Sequence, residues 1–361
     1  MRDRQQGSSR FVKGLLIYIL IFALLAAGAL LLLRSYLAAY EQSRPAAAVR
    51  SYLSACEKGR LGYGWGRSLG ELDSRMMDEK EARAWAVEKL KSAAVHELPG
   101  GGEREKRFAL RDEDGVSFLT LTLRAGEEGR WGFRRWEIAE EDCDLSAYTH
   151  SAEALIPETY SVRVDGVVLG EESVVEKGIG YELLEPFEDY VKDTPKLVRC
   201  ACGPFLGEGK VEILDEKGRV VPEEEQTEQH YLSNCSAAQE EELHEFALRY
   251  LNAYLPYAGD LYRSGLAFYG ELSQMIVTGG ELEERLVLAR NGFGFGNTNS
   301  LRILKDELRF AMDFGDGHYL ADVYYRTETE GLHGLVEEDN QVRLLILERD
   351  GRYYTEAMVN Y

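Results

Sequence analysis

From Gly14 to Leu33 the chain runs for twenty residues without a charge, GLLIYILIFALLAAGALLLL, between Lys13 and Arg34. A helix rises about 1.5 Å per residue, so this run reaches roughly 30 Å, the thickness of a bilayer's hydrocarbon core. It carries no polar stripe of the kind a helix buried in a soluble core would show. Small residues at 26–29 resemble a cleavage region, but four leucines follow them and the run exceeds the about 7–15 apolar residues of a secretory signal. The stretch therefore reads as an uncleaved transmembrane helix over 14–34. The leader 1–13 carries Arg2, Arg4, Arg10 and Lys13 against Asp3. Basic residues beside a first helix hold that end in the cytoplasm, and Arg34, Arg44 and Arg50 weaken this bias without reversing it. The expected topology is single-pass in the cell membrane, N-terminus cytoplasmic and bulk extracytoplasmic.

Past the anchor the periodicity alternates between helix and strand. Pro45 suits a first helical turn, and Val49, Tyr52, Leu53 and Cys56 follow on one face, with Gly59 as the stop. A second helix is expected over 71–94, with Leu72, Met76, Trp85 and Leu90 apolar. After the glycines at 100–102 the period becomes two, giving strands over 107–111, 116–124 and 131–139, with a turn at Asp114-Gly115. This makes a first α+β unit over 37–147. Residues 154–221 read as a small β-sandwich-like module, turning at Asp165-Gly166 and Lys217-Gly218, and 182–192 as a short helix or loop crossing. The polar segment PEEEQTEQH opens a linker over 222–235. A second α+β unit covers 236–361. Ser236 and Gln239 have capping-box spacing, and Leu243, Phe246, Ala247, Tyr250, Leu251 and Tyr254 form an apolar face ending at Pro256. Helical stretches over 266–277 and 281–289 follow, then strands over 300–306, 308–314, 319–327, 341–348 and 352–359. Leu308, Phe310, Met312 and Phe314 alternate onto one face, as do Tyr319, Ala321, Val323 and Tyr325. The second unit thus repeats the order of the first, and AVRSYLSAC near residue 50 resembles ALRYLNAY near 250.

Charge removes several functions. The net charge is −21, and the first 34 residues hold five bases and one acid, so the remainder stands at −25. Such a surface repels nucleic acid and anionic lipid and keeps an exported domain soluble. Acidic runs such as Glu223 to Glu225 are solvated faces, with no spaced loop of calcium ligands. Six scattered histidines argue against a metal centre, and no cofactor motif is present. The five cysteines show no second pair at zinc spacing. Cys200 and Cys202 share a strand face, and Cys235 is a partner for either where disulfides form, with free thiols as the competing reading. No G-x-S-x-G elbow, H-E-x-x-H pair or S-x-x-K nucleophile stands in a suitable context.

Helices followed by long antiparallel strands resemble the cone-shaped α+β fold of the nuclear transport factor 2 superfamily. The resemblance implies two such domains, 37–147 and 236–361, flanking the β module. More narrowly, a basic leader, one membrane helix and the start Tyr40-Glu41-Gln42-Ser43-Arg44-Pro45 are similar to anchored envelope proteins of Gram-positive bacteria. The layout is also similar to that of the teicoplanin-resistance-associated membrane proteins, with small β repeats between the anchor and a C-terminal cone domain.

Enzymes of the superfamily place an Asp, His or Tyr inside the cone to move a proton. The corresponding candidates are Asp313, His318, Asp322 and Tyr324. Alternation puts Asp322 and Tyr324 opposite the Ala321/Val323 face, pointing to solvent, and puts His318 at a hairpin tip. The glycine-rich run Asn291 to Asn297 leads into a strand instead of a helix, unlike a phosphate loop, so Phe293 and Phe295 are expected to close the cone mouth. Phe293, Phe295, Tyr324 and His318 are thus the candidate ligand-binding residues. The reading that results is a non-catalytic, membrane-anchored envelope protein that binds another envelope protein or a cell-wall polymer. The alternatives are a small-molecule sensor or enzyme using the C-terminal cone, and an accessory factor of cell-wall synthesis.

Overall fold

The structure is a computed structural model and describes residues 3–100, 102–258, 265–290, 300–331 and 334–361. It divides into two compact units, Met1–Ala152 with Cys202–Lys210, and Glu153–Ala201 with Val211–Tyr361.

The first unit opens with one unbroken helix, α1 (Asp3–Gln42). Its stretch Leu15–Gln42 is long and apolar enough to cross a membrane, and none of it is buried. Two residues later α2 (Pro45–Glu57) begins, with extended Arg44 as its cap and Pro45 in its first turn, where a missing N–H costs nothing. Its apolar face buries Val49 and Cys56. Of the helix expected over 71–94, α4 (Glu79–Ser92) forms, and a helix the pattern did not predict, α3 (Tyr63–Gly70), precedes it. Asp78 starts α4 through a capping box, accepting from Glu81 N–H at 2.7 Å. Helix α4 stops before Ala94, because the chain turns there into β1 (Ala94–Leu98). Strands β2 (Glu105–Arg111), β3 (Ser117–Glu128) and β4 (Arg134–Cys143) complete a sheet in the order β1-β2-β3-β4. Leu119, Leu121 and Leu123 of β3 pack with Trp65 of α3 and Leu90 of α4.

In the second unit the β-rich segment holds β5 (Thr149–Pro157), β6 (Ser161–Val164), β7 (Val167–Val168), β8 (Val174–Ile179), β9 (Leu197–Leu206) and β10 (Val211–Leu214). They form two three-stranded sheets, β10-β6-β7 and β5-β9-β8; the boundaries between the two units fall inside β5 and β9. Asp165 and Gly166 both have positive φ, as a two-residue hairpin turn requires. Helix α5 (Glu228–Leu232) precedes α6 (Ala237–Ala258), which Ser236 and Gln239 cap as their spacing implied. Helices α7 (Gly265–Leu272) and α8 (Glu281–Arg290) lead to β11 (Ser300–Asp313), β12 (His318–Gly331), β13 (Gly334–Arg349) and β14 (Arg352–Asn360). All three neighbouring pairs of this sheet are antiparallel.

Two expectations change here. The strands 300–306 and 308–314 are one strand, β11, with register shifts at Ile303/Lys305 and Leu308/Phe310. A bulge inserts one residue and reverses the face that follows it. Leu308 therefore packs with the helices, whereas Phe310, Met312 and Phe314 face the other way. The second change concerns the back of the sheet. Tyr181, Leu184, Phe187, Val191 and Leu197 of the β module cover Phe310, Leu320 and Leu345, together with Leu232 of α5. Apart from Cys202–Lys210, the module and the polar stretch 222–235 are thus a layer of the second unit, covering the back of its sheet around Phe310, Leu320 and Leu345.

On that back face lies a fully buried ion pair. Asp322 and Arg343 stand opposite each other in the β12–β13 register, with Nε 2.7 Å from Oδ2. Their side chains are 0% and 5% exposed. Gln341 Nε2 donates to the other carboxylate oxygen at 2.7 Å. Arg343 Nη1 donates to the Leu183 carbonyl at 3.1 Å and to the Tyr361 hydroxyl at 2.6 Å. Asp322 therefore does not point to solvent, because the layer over the sheet encloses it. Breaking one side of such a pair leaves a charge uncompensated in low dielectric. Arg343→Met is expected to destabilise the second unit by about 3–5 kcal/mol. Asp322→Leu combined with Arg343→Met should recover most of that loss in denaturant unfolding of the detergent-solubilised chain. A double variant as unstable as the single one would assign the effect to the packing of Arg343 alone.

Candidate functional site

Aromatic side chains pack between α6 and its sheet. Tyr250 is buried and stacks on Tyr254 with centroids 5.8 Å apart, and its hydroxyl lies 3.6 Å from the Met358 sulfur. Burial pushes the Tyr325 phenol up to about 12. The apolar residues of this cluster are aliphatic or aromatic, and they include the buried phenols of Tyr250 and Tyr325. Beside them His244 of α6 pairs with Asp306 of β11, Nε2 to Oδ2 3.0 Å.

The candidate residues lie apart. His318 begins β12, its Nδ1 2.8 Å from Asp316 Oδ1 and its Nε2 3.1 Å from Glu356 Oε2. Glu356 is the extra residue where β14 bulges between Thr355 and Ala357, so spacing alone did not pair it with His318. Burial raises the Asp316 carboxyl, but its hydrogen bonds from His318 outweigh this and hold it below the ordinary range. Tyr324 lies six residues along the same strand, about 20 Å away. Its hydroxyl donates to Asp339, which also accepts from Arg326 Nε at 2.7 Å. Lys305 and Arg309 stand 5.4 and 5.1 Å above its ring. Phe293 and Phe295, and the glycine-rich run that holds them, lie outside the described residues. Cys200 and Cys235, offered as disulfide partners, are both thiols, while Cys202 is buried on the same strand as Cys200. Burial raises the Cys200 thiol, and raises Cys235 to about 11. Among the described residues no three His, Cys, Asp or Glu side chains gather to hold a metal.

What the second unit does offer is a cleft of about 610 Å³. Leu155, Leu197, Val211, Ile213 and Tyr231 supply its apolar lining, and Glu153, Glu223 and Glu228 border it. Two of these acids are held in place. Glu228 accepts from the backbone N–H groups of Glu182 and Leu183 at 3.1 and 3.0 Å, and Glu153 pairs with Arg199 at 2.5 Å. An apolar floor under fixed carboxylates suits an extended segment with apolar and basic side chains. Sequence reasoning missed this cleft, because its walls come from strands and a short helix separated by tens of residues.

The first unit holds a second feature that spacing did not reveal. Glu141 of β4 turns its carboxylate into the α2–α3 loop, where Tyr52 OH donates to one oxygen and Gly64 N–H to the other at 2.7 Å. A Cβ at Gly62 would collide with that carboxylate, and one at Gly64 would lie 2.8 Å from the Glu141 carbonyl. The second contact is with backbone, so it is glycine at 64 that this close approach requires. The alternate glycines of GYGWG are the signal that could have found it. Burial pushes the Glu141 carboxyl up, the Cys56 thiol to about 11 and the Cys143 thiol to about 12.

No protein-family model matches the chain, and comparison with curated proteins finds no similar sequence. Among solved structures it is similar to Aln2 from a Streptomyces species, at 15% identity and a TM-score of 0.25, over 35% of this chain and 91% of that one. It is also similar to an Ntf2-like protein involved in plasmid conjugation, at 9% identity and a TM-score of 0.23, over 80% and 84% of the two chains. Likenesses this slight carry no function across. The fold class stands on the chain's own topology: a mixed α+β protein with one apolar N-terminal helix, in which two four-stranded antiparallel sheets each follow helices.

Two measurements follow from these environments. Only the thiolate reacts with alkylating agents, so Cys56 and Cys143 should stay unmodified by iodoacetamide at pH 8 until denaturant is added, as read by peptide mass spectrometry. Glu141 holds its proton more tightly in the folded state than in the unfolded one. Stability must then fall as pH rises from the ordinary glutamate value through the folded one. Glu141→Gln should flatten that part of a stability–pH curve, and an unchanged slope would contradict the assignment.

Proposed function

We propose that the chain is a single-pass, membrane-anchored binding or scaffold protein of the bacterial cell envelope, non-catalytic, with its bulk outside the membrane. The observation that carries the reading is the second unit's cleft, with an apolar lining of Leu155, Leu197, Val211, Ile213 and Tyr231 bordered by Glu153, Glu223 and Glu228. In the second sheet, Asp322 with Arg343 and His318 with Asp316 and Glu356 are tied to one another. The uninterrupted α1 supplies the anchor, and the basic leader supports a cytoplasmic N-terminus. The strongly acidic remainder suits an exported, soluble ectodomain. Kinship with the anchored envelope proteins of Gram-positive bacteria, the teicoplanin-resistance-associated proteins among them, rests on the order of parts alone. The partner that fits the second unit's cleft is an extended segment of another envelope protein, or a wall polymer presenting apolar and cationic groups.

The test uses intact cells carrying the full chain with a C-terminal tag. Protease added outside should remove the tag, and cross-linking should recover a defined partner. Leu155→Arg, which places a cation on the cleft floor, should abolish that cross-link without lowering the unfolding temperature. A tag protected from protease, or turnover of a small metabolite by a chain that captures no partner, would overturn the reading.

A further inference from the structure

The β3–β4 hairpin of the first unit ends in an aromatic tip that touches α1. Trp131 lies edge-on to Tyr36 with ring centroids 5.8 Å apart. Phe133 meets Tyr36 at 5.2 Å and Tyr40 at 5.7 Å. These rings cover one another only in part: Trp131, Tyr36 and Tyr40 remain 42, 43 and 46% exposed. Leu37, between the two tyrosines, is also exposed.

Their height on the helix decides what they meet. The apolar run ends at Leu33, and α1 continues unbroken to Gln42. Tyr36 is therefore about 4.5 Å beyond the last leucine along the axis, and Tyr40 about 10 Å. The interfacial layer of a bilayer extends roughly 5–7 Å beyond the hydrocarbon on each side. Tyr36, and the Trp131 ring against it, fall within that layer. Tryptophan and tyrosine concentrate there because the ring is apolar and the N–H or O–H finds water and headgroups.

Backbone and charge point the same way. Trp131 has φ 75, a left-handed conformation rare for a bulky side chain, and Gly132 follows at φ 76. Glycine would take position 131 with less strain, so the indole is kept at a cost to the fold. The tip 128–136 also reads EGRWGFRRW, with three arginines against one glutamate that pairs with Arg134, in a chain that carries −25 beyond its first 34 residues. A local basic spot suits anionic headgroups that the rest of the surface repels.

We propose that this hairpin is a membrane-contact element. Trp131, with Phe133 and Tyr36, seats the first unit on the interfacial layer of the bilayer that α1 spans, while exposed Arg135 beside the tip meets headgroup phosphates. The inference rests on α1 being a retained anchor, and the experiment separates the two.

Full-length protein is placed in nanodiscs of phosphatidylcholine and phosphatidylglycerol, with acyl chains brominated near the headgroup or near the chain end. Trp131→Gly removes the indole, relieves the backbone and leaves the other three tryptophans. The emission lost in that variant should be the component most quenched by shallow bromines and least by deep ones. Trp131→Gly should unfold no earlier than the natural chain. Protein that resists alkaline carbonate extraction yet shows no Trp131-dependent quenching would overturn the membrane contact while leaving the anchor intact. The same outcome with self-association in the disc would assign the patch to a second copy. Release by carbonate would overturn the anchor and the contact together. A lowered unfolding temperature in Trp131→Gly without lipid quenching would assign the ring to the fold alone.

Discussion

The second unit is organised around one charge pair that water cannot reach. Asp322 and Arg343 sit across two central strands, and the guanidinium also binds the Leu183 carbonyl and the Tyr361 hydroxyl. One side chain thereby connects β12, β13, the β-module layer and the last residue of the chain. Such a group contributes little net stability, since desolvation offsets most of the attraction. What the geometry shows is that the guanidinium takes its acceptors from Asp322, the Leu183 carbonyl and Tyr361, so the covering layer is hydrogen-bonded to the sheet as well as packed on it.

The first unit solves a related problem differently. There a carboxylate, Glu141, is drawn toward the start of α3, where Gly64 lets the backbone approach it. Both units thus set helices against a four-stranded sheet, and each fixes the join with a polar contact from a central or edge strand. The cleft described above lies elsewhere, between the β module and α5.

Much of this was legible along the chain. The apolar run, the Pro45 start, the Ser236–Gln239 cap and the Asp165-Gly166 turn each depend on neighbouring residues, and local chemistry decides them. The face of α6 that buries Leu243, Phe246 and Tyr250 follows from period alone. What the pattern hid was non-local. A bulge after Leu308 exchanged the faces of β11, so four residues that alternate in sequence divide between two cores. Asp322 looked solvated because its cover, the segment around Leu183, is more than a hundred residues away. Helix α3 was masked by glycines, of which Gly64 serves the approach to Glu141. The candidate residues His318 and Tyr324 were close in sequence, but a strand held them well apart, each engaged with its own carboxylates.

One further consequence follows from the brevity of the step between α1 and α2. Only Ser43 and Arg44 separate the helices, and the backbone bonds around them, from Ser43 and Arg44 N–H groups to carbonyls of α1, leave no slack. With α1 across a bilayer, the first unit begins within about 20 Å of the hydrocarbon. In that arrangement it would be mounted as on a short post, held at the lipid surface with little freedom to leave it.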